Sequence, residues 1–201
     1  QTSISTAYLF LNKGKLSMID DKTICEFNWK APDFELPSTN GKLFTRDALL
    51  GEKGLLIMFI CNHCPYVLSA LTRIVNVSRD LSKKGIGIAA ISSNDVEAYP
   101  LDSFDNMKRL ADTNNFQFPY LFDESQNIAK SYGAKCTPDF FGFNNVLGLQ
   151  YRGRLDSGGR DEPEPGSKRE LFEAMLQVSS TGFGPHAQTP TIGCSIKWKN
   201  S

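Results

Sequence analysis

Two cysteines three residues apart, Cys61 and Cys64, enclose Asn62 and His63 and are followed at once by Pro65. Thiols at this spacing can close into a disulfide and open again. Residues i and i+3 of a helix have Cβ atoms about 5–6 Å apart, and a disulfide wants about 3.5–4.5 Å. A slight tightening of one turn therefore makes the bond, and reduction releases it. The pair falls where an apolar run, Leu55–Ile60, gives way to a helical pattern with Val67, Leu68, Leu71, Ile74 and Val75 on one face. A helix N-terminus carries unpaired N–H groups and the positive end of the dipole, both of which favour a thiolate. Cys61 is the expected thiolate: lowering a thiol pKa from about 8.5 to about 7 raises the ionised share at neutral pH from roughly 3% to roughly half. Pro65 suits a first helical position, where its missing N–H is not needed. A protonated His63 between the sulfurs would stabilise the thiolate form and make the disulfide more oxidising.

The elements around the motif alternate. Asp33–Pro37 followed by Ser38-Thr39-Asn40-Gly41 predicts a short hairpin strand. Leu55–Ile60 reads as a strand buried on both faces, the helix after Pro65 runs to Lys83-Lys84-Gly85, and Ile86–Ile91 forms a second buried strand. Ser103 is placed to cap a helix with Phe104, Met107, Leu110 and Ala111 inward. Pro119–Phe122 is extended, Asp123 or Ser125 starts a helix to Gly133, and Phe140–Phe143 with Leu147–Tyr151 form a hairpin about Asn144-Asn145. A polar loop at 158–166 precedes a helix over Glu170–Val178, and the tail beyond it shows little regular pattern. Strands alternating with helices imply an α/β sheet with parallel neighbours, to which the late hairpin adds an antiparallel edge.

Residues 25–180 are thus expected to form one domain, with an N-terminal extension over 1–24, processed or added, and a C-terminal tail over 181–201. The chain has 201 residues, 40% hydrophobic and 22% charged, enough for an ordinary core. Its 22 basic and 22 acidic side chains are balanced and scattered, which speaks against nucleic-acid binding through phosphate neutralisation. The longest apolar run, Leu55–Cys61, is far short of the roughly 20 residues of a membrane span. Five cysteines are too few, and odd in number, for a secreted disulfide scaffold. A cytoplasmic setting is the default, with periplasm or organelle left open, and the chain is expected as a monomer or homodimer.

A strand leading into C-x-x-C and a helix is a thioredoxin-like redox pattern. Ala31-Pro32-Asp33-Phe34-Glu35-Leu36, the strand into Cys61–Pro65, Pro119–Asp123 and Cys136-Thr137-Pro138-Asp139-Phe140 together resemble the redoxin, or alkyl hydroperoxide reductase/thiol-specific antioxidant, family. The resemblance implies a thioredoxin-like three-layer α/β/α sandwich with a mixed central sheet. It implies that Pro138 is a cis-proline opposite the disulfide, that Thr137 offers backbone groups to an extended substrate, and that Cys61 attacks while Cys64 resolves. Peroxidases of the family carry Pro-x-x-x-Thr-x-x-Cys; those positions here are Gly54 and Met58.

The expected function is thiol–disulfide exchange with no cofactor, reset by a thioredoxin-type or glutathione reductant, and with Tyr66 at the rim. The competing readings are a peroxidase with Cys61 peroxidatic, and a zinc or copper site built from Cys61, His63 and Cys64 with Cys136 or His186. Cys136 and Cys194 are candidate extra redox thiols, though a small buried side chain is the simpler reading of each. Cys25 is expected to be structural, and Arg152 and Arg154 to be solvated at the surface rather than near the thiolate.

Overall fold

The computed structural model describes residues 25–200; the expected N-terminal extension, 1–24, lies outside them. The central sheet has the order β5-β4-β3-β7-β8, with β3 (Gly54–Phe59) parallel to β4 (Ile86–Ser92), β4 parallel to β5 (Tyr120–Phe122), and β7 (Asp139–Phe143) and β8 (Leu149–Tyr151) antiparallel. Parallel neighbours need a crossover, and α2 (Pro65–Ser82) supplies the one between β3 and β4. A separate hairpin, β1 (Glu35–Pro37) with β2 (Leu43–Thr45), precedes the short α1 (Arg46–Leu49).

β3 shows why its sequence is apolar without a break. Leu56 and Met58 belong to one core with α2 and with α5 (Glu170–Thr181), while Leu55, Ile57 and Phe59 belong to another with α4 (Asn127–Tyr132) and the N-terminal hairpin. Alternate side chains leave opposite faces of a strand, so both faces must be apolar to sit between two helical layers. The result is the expected thioredoxin-like sandwich with a mixed sheet.

Ser103 caps α3 (Phe104–Thr113), its Oγ accepting from Asn106 N. α4 begins at Asn127, and the buried Asp123 carboxylate organises its start: it accepts from Ile128 N, Ala129 N at 2.9 Å and Ser93 Oγ at 2.9 Å. That ties the end of β5 to the end of β4, beside Asn94. The tail departs from expectation. Cys194–Ser195 form β9, antiparallel to β6 (Cys136–Thr137), with Thr137 opposite Cys194. Local pattern could not show this, because a two-residue strand has no periodicity and its partner lies some 58 positions away.

Asp123→Ala removes the acceptor of the buried Ser93 and Ala129 donors and is expected to destabilise the fold by about 2–3 kcal/mol, read from the denaturant midpoint at unchanged slope.

Candidate active site

α2 starts at Pro65, so Cys64 is the residue just before the helix and Cys61 lies one turn upstream, beyond the end of β3. Both are buried, each 1% exposed. The helix mouth therefore favours the thiolate at Cys64, not at Cys61. Cys64 is pushed down to about 4, first by the hydrogen bond from the Cys61 thiol, with help from Cys194, Thr137 and the Val67 amide, against the effect of burial. The Cys61 thiol moves up, because it donates to Cys64, because it is buried, and because the Asp102 carboxylate stands near. The helix mouth and these hydrogen bonds favour Cys64, where the sequence reading favours Cys61.

The two sulfurs meet one residue of the facing strand. Thr137 Oγ1 lies 3.4 Å from Cys61 Sγ, and the Thr137 carbonyl oxygen lies 3.2 Å from Cys64 Sγ, the acceptor that sulfur uses when protonated. The Thr137–Pro138 bond is cis, as the resemblance implies. The backbone edge at Thr137, however, is not open to a substrate: β9 lies along it. Gly193 is there because the approach is close; a Cβ at that position would stand 2.2 Å from the Thr137 carbonyl oxygen.

His63 has a partner that the sequence did not reveal. Asp102, fully buried in the 3-10 turn Pro100–Asp102, places Oδ2 2.7 Å from His63 Nδ1, a close contact outside the line of the ring N–H. Asn62 N and Asn94 Nδ2 each donate to the same carboxylate at 2.8 Å. Tyr99 stacks on the imidazole, with centroids 5.8 Å apart and planes 4° from parallel. Tyr120 Oη donates to Asn62 Oδ1 at 2.9 Å, so the turn between the cysteines is anchored on both sides. Cys61 Sγ, a nitrogen of His63 and an oxygen of Asp102 lie within 4.8 Å of one another.

The metal set weighed from sequence is not assembled. Cys136 Sγ points to Pro138 O, His186 packs against Phe27, and Asp102 is the third donor near Cys61 and His63. Its oxygens already accept from Asn62 and Asn94. Burial pushes the Cys136 thiol up to about 12, and Cys25, buried, up to about 11. Arg154 is paired with Glu170, and Arg152 lies over the Phe141 ring and donates to Gly133 O. Tyr66, with Arg73, Pro138, Phe140, Asp156 and Ile192, lines a cavity of about 230 Å³ that neither Cys61 nor Cys64 lines.

The AhpC/TSA family model matches residues 28–155, a span that holds the dithiol, Asp102 and the cis-proline. The chain belongs to the AhpC/TSA family. Among solved structures, this AhpC/TSA chain is similar to an uncharacterized conserved protein from Geobacillus kaustophilus, with 40% identity, TM-score 0.82, and 87% of this chain and 93% of that one covered. It is similar also to a hypothetical protein from Sinorhizobium meliloti 1021, with 34% identity, TM-score 0.80, and coverages of 87% and 96%. A curated relative from Coxiella burnetii bearing the name peroxiredoxin bcp is 28% identical over 117 residues, 58% of this chain and 72% of that protein. The family and its named relatives place the chain among thioredoxin-like oxidoreductases. Among the described residues, no helix is long and apolar enough to cross a membrane.

In the reduced protein, ultraviolet thiolate absorbance is expected from one sulfur at neutral pH and to be lost as pH falls through about 4. Cys64→Ser should abolish that signal, whereas its survival there would assign the thiolate elsewhere. Asp102→Asn removes the negative charge beside Cys61, so the Cys61 thiol should ionise at lower pH than in the native chain.

Proposed function

We propose that this chain is a thiol–disulfide oxidoreductase whose working couple is Cys61 and Cys64, with His63 and Asp102 managing the proton. The observation that carries the reading is the sulfur pair itself: two buried thiols at C-x-x-C spacing, both held against Thr137 beside a cis-proline. Cys61 attacks a substrate disulfide, giving a mixed disulfide and a substrate thiol. Cys64, as its thiolate, then attacks Cys61 Sγ; the Cys61–Cys64 bond forms and the second substrate thiol leaves. The two protons and two electrons lost by the pair are gained by the substrate. His63 receives the Cys61 proton when that sulfur becomes the nucleophile, and Asp102 holds the imidazolium that results. An external dithiol of the thioredoxin type, or glutathione, returns the couple to its reduced state.

A peroxidase reading has its own support. The curated relative is named a peroxiredoxin, and the Thr137 hydroxyl stands beside Cys61, able to donate to a peroxide oxygen. Against it, position 58 offers no hydroxyl: Met58 is buried under α2 with Ser78 Oγ 3.8 Å from its sulfur.

Turnover of a small disulfide such as oxidised glutathione, beside turnover of hydrogen peroxide, separates the two. The exchange reading expects disulfide reduction to be abolished by Cys61→Ser, the mixed disulfide to accumulate with Cys64→Ser, and peroxide consumption to be the slower reaction. Equal disulfide turnover by native and Cys61→Ser chains would overturn it. His63→Ala should lower kcat/KM near neutral pH by about a hundredfold, and an unchanged rate would remove His63 from the proton transfer.

A further inference from the structure

The resemblance leaves the strand edge at Thr137 free for a substrate segment, but this chain fills it with its own residues. β9 lies antiparallel to β6 with Cys194 directly opposite Thr137. Residues directly opposite in an antiparallel pair project to the same face, with Cβ atoms about 4.5–5.5 Å apart. The Thr137 side chain reaches Cys61 Sγ on that face, so Cys194 projects toward the dithiol. Cys194 packs, partly buried, on the core cluster that holds both cysteines. Cys136, the other residue of β6, turns its sulfur to Pro138 O instead.

The segment is clamped on both sides of Cys194. Thr191 Oγ1 donates to Pro138 O at 2.9 Å, ahead of it. After it, Ile196 is buried, Lys197 N donates to Asn94 Oδ1 at 2.9 Å, and Lys197 O accepts from Asp95 N at 2.8 Å and Gln126 Nε2 at 2.9 Å. Exposure separates the three thiols: Cys61 and Cys64 are buried, and Cys194 is partly open to solvent.

We propose that Cys194 is the internal exchange partner of the dithiol, passing oxidation from the buried Cys61–Cys64 bond to a sulfur that an external protein dithiol can reach. This rests on the exchange reading of Cys61 and Cys64. The Cys194 thiolate attacks Cys64 Sγ; the Cys64–Cys194 bond forms, the Cys61–Cys64 bond breaks, and Cys61 leaves as a thiolate that takes up the proton Cys194 gave away. No electrons enter or leave in that step. One thiolate of the external dithiol then attacks Cys194 Sγ and expels Cys64 as a thiolate. The second external thiol displaces Cys194, so the external pair is oxidised by two electrons and all three cysteines return as thiols.

The test uses the full chain oxidised with one equivalent of 5,5′-dithiobis(2-nitrobenzoic acid), alkylated, and mapped by peptide mass spectrometry without reduction. In Cys61→Ser, the expected product is a Cys64–Cys194 disulfide, with two aromatic thiols released per chain. A stable mixed disulfide on Cys64 with Cys194 alkylated would overturn the inference. If the native chain forms Cys61–Cys64 while the variant forms no Cys64–Cys194, the relay alone fails; if the native chain forms no Cys61–Cys64, the exchange reading fails with it. Re-reduction of the oxidised chain by a thioredoxin-type protein gives an independent readout. Cys194→Ser should slow it by about tenfold or more, by loss of the accessible exchange sulfur, and Cys136→Ser should not. Re-reduction of Cys194→Ser at the native rate would contradict the relay.

Discussion

The site depends on one meeting of backbone and sulfur: the turn Cys61-Asn62-His63-Cys64 pressed against Thr137. Each sulfur touches a different atom of that residue, the hydroxyl in one case and the carbonyl in the other. The contact exists because β3 and β7 are paired neighbours in the sheet, with Phe59 opposite Asp139. The turn that leaves β3 and the proline bend that enters β7 therefore arrive at the same end. Everything else at the site fixes this meeting from outside. Asp102 and Tyr120 hold Asn62, Asn94 joins Asp102 to the tail, and the tail covers Thr137.

Within that frame, burial and hydrogen bonding pull the two thiols apart. Burial alone would raise both pKa values. At Cys64, donors from Cys61, Cys194, Thr137 and the Val67 amide outweigh it; at Cys61, the donated proton and the nearby Asp102 charge add to it. A pair that shares one proton this way has a resolving sulfur ready and an attacking sulfur that needs a base. His63, with its buried carboxylate, stands where that base is required.

Much of this was legible in the residues. The unbroken apolar run of β3, the helical face after Pro65, the Ser103 cap and the dithiol are all local patterns, and local patterns survive folding. Thr137-Pro138 was legible only through the family resemblance, since an X-Pro bond is trans by default. The residue at the helix mouth was also legible: a proline at the first helical position makes the preceding Cys64 the capping residue. Asp102 and β9 carried no such signal. Asp102 sits 40 positions from Asn62, in a turn of ordinary composition, and its importance comes only from being brought under His63. β9 is two residues long, and its pairing is set by the anchors at Thr191, Ile196 and Lys197, which no window of sequence displays.

The most direct test of a Cys61–Cys64 couple is a redox titration of the full chain against glutathione buffers, counting free thiols on each cysteine at every poise. One two-electron transition is expected, in which Cys61 and Cys64 are lost together, at a potential within the span of about −270 to −120 mV reached by related dithiols. Loss of Cys61 thiol with Cys64 still free across the whole titration would contradict it.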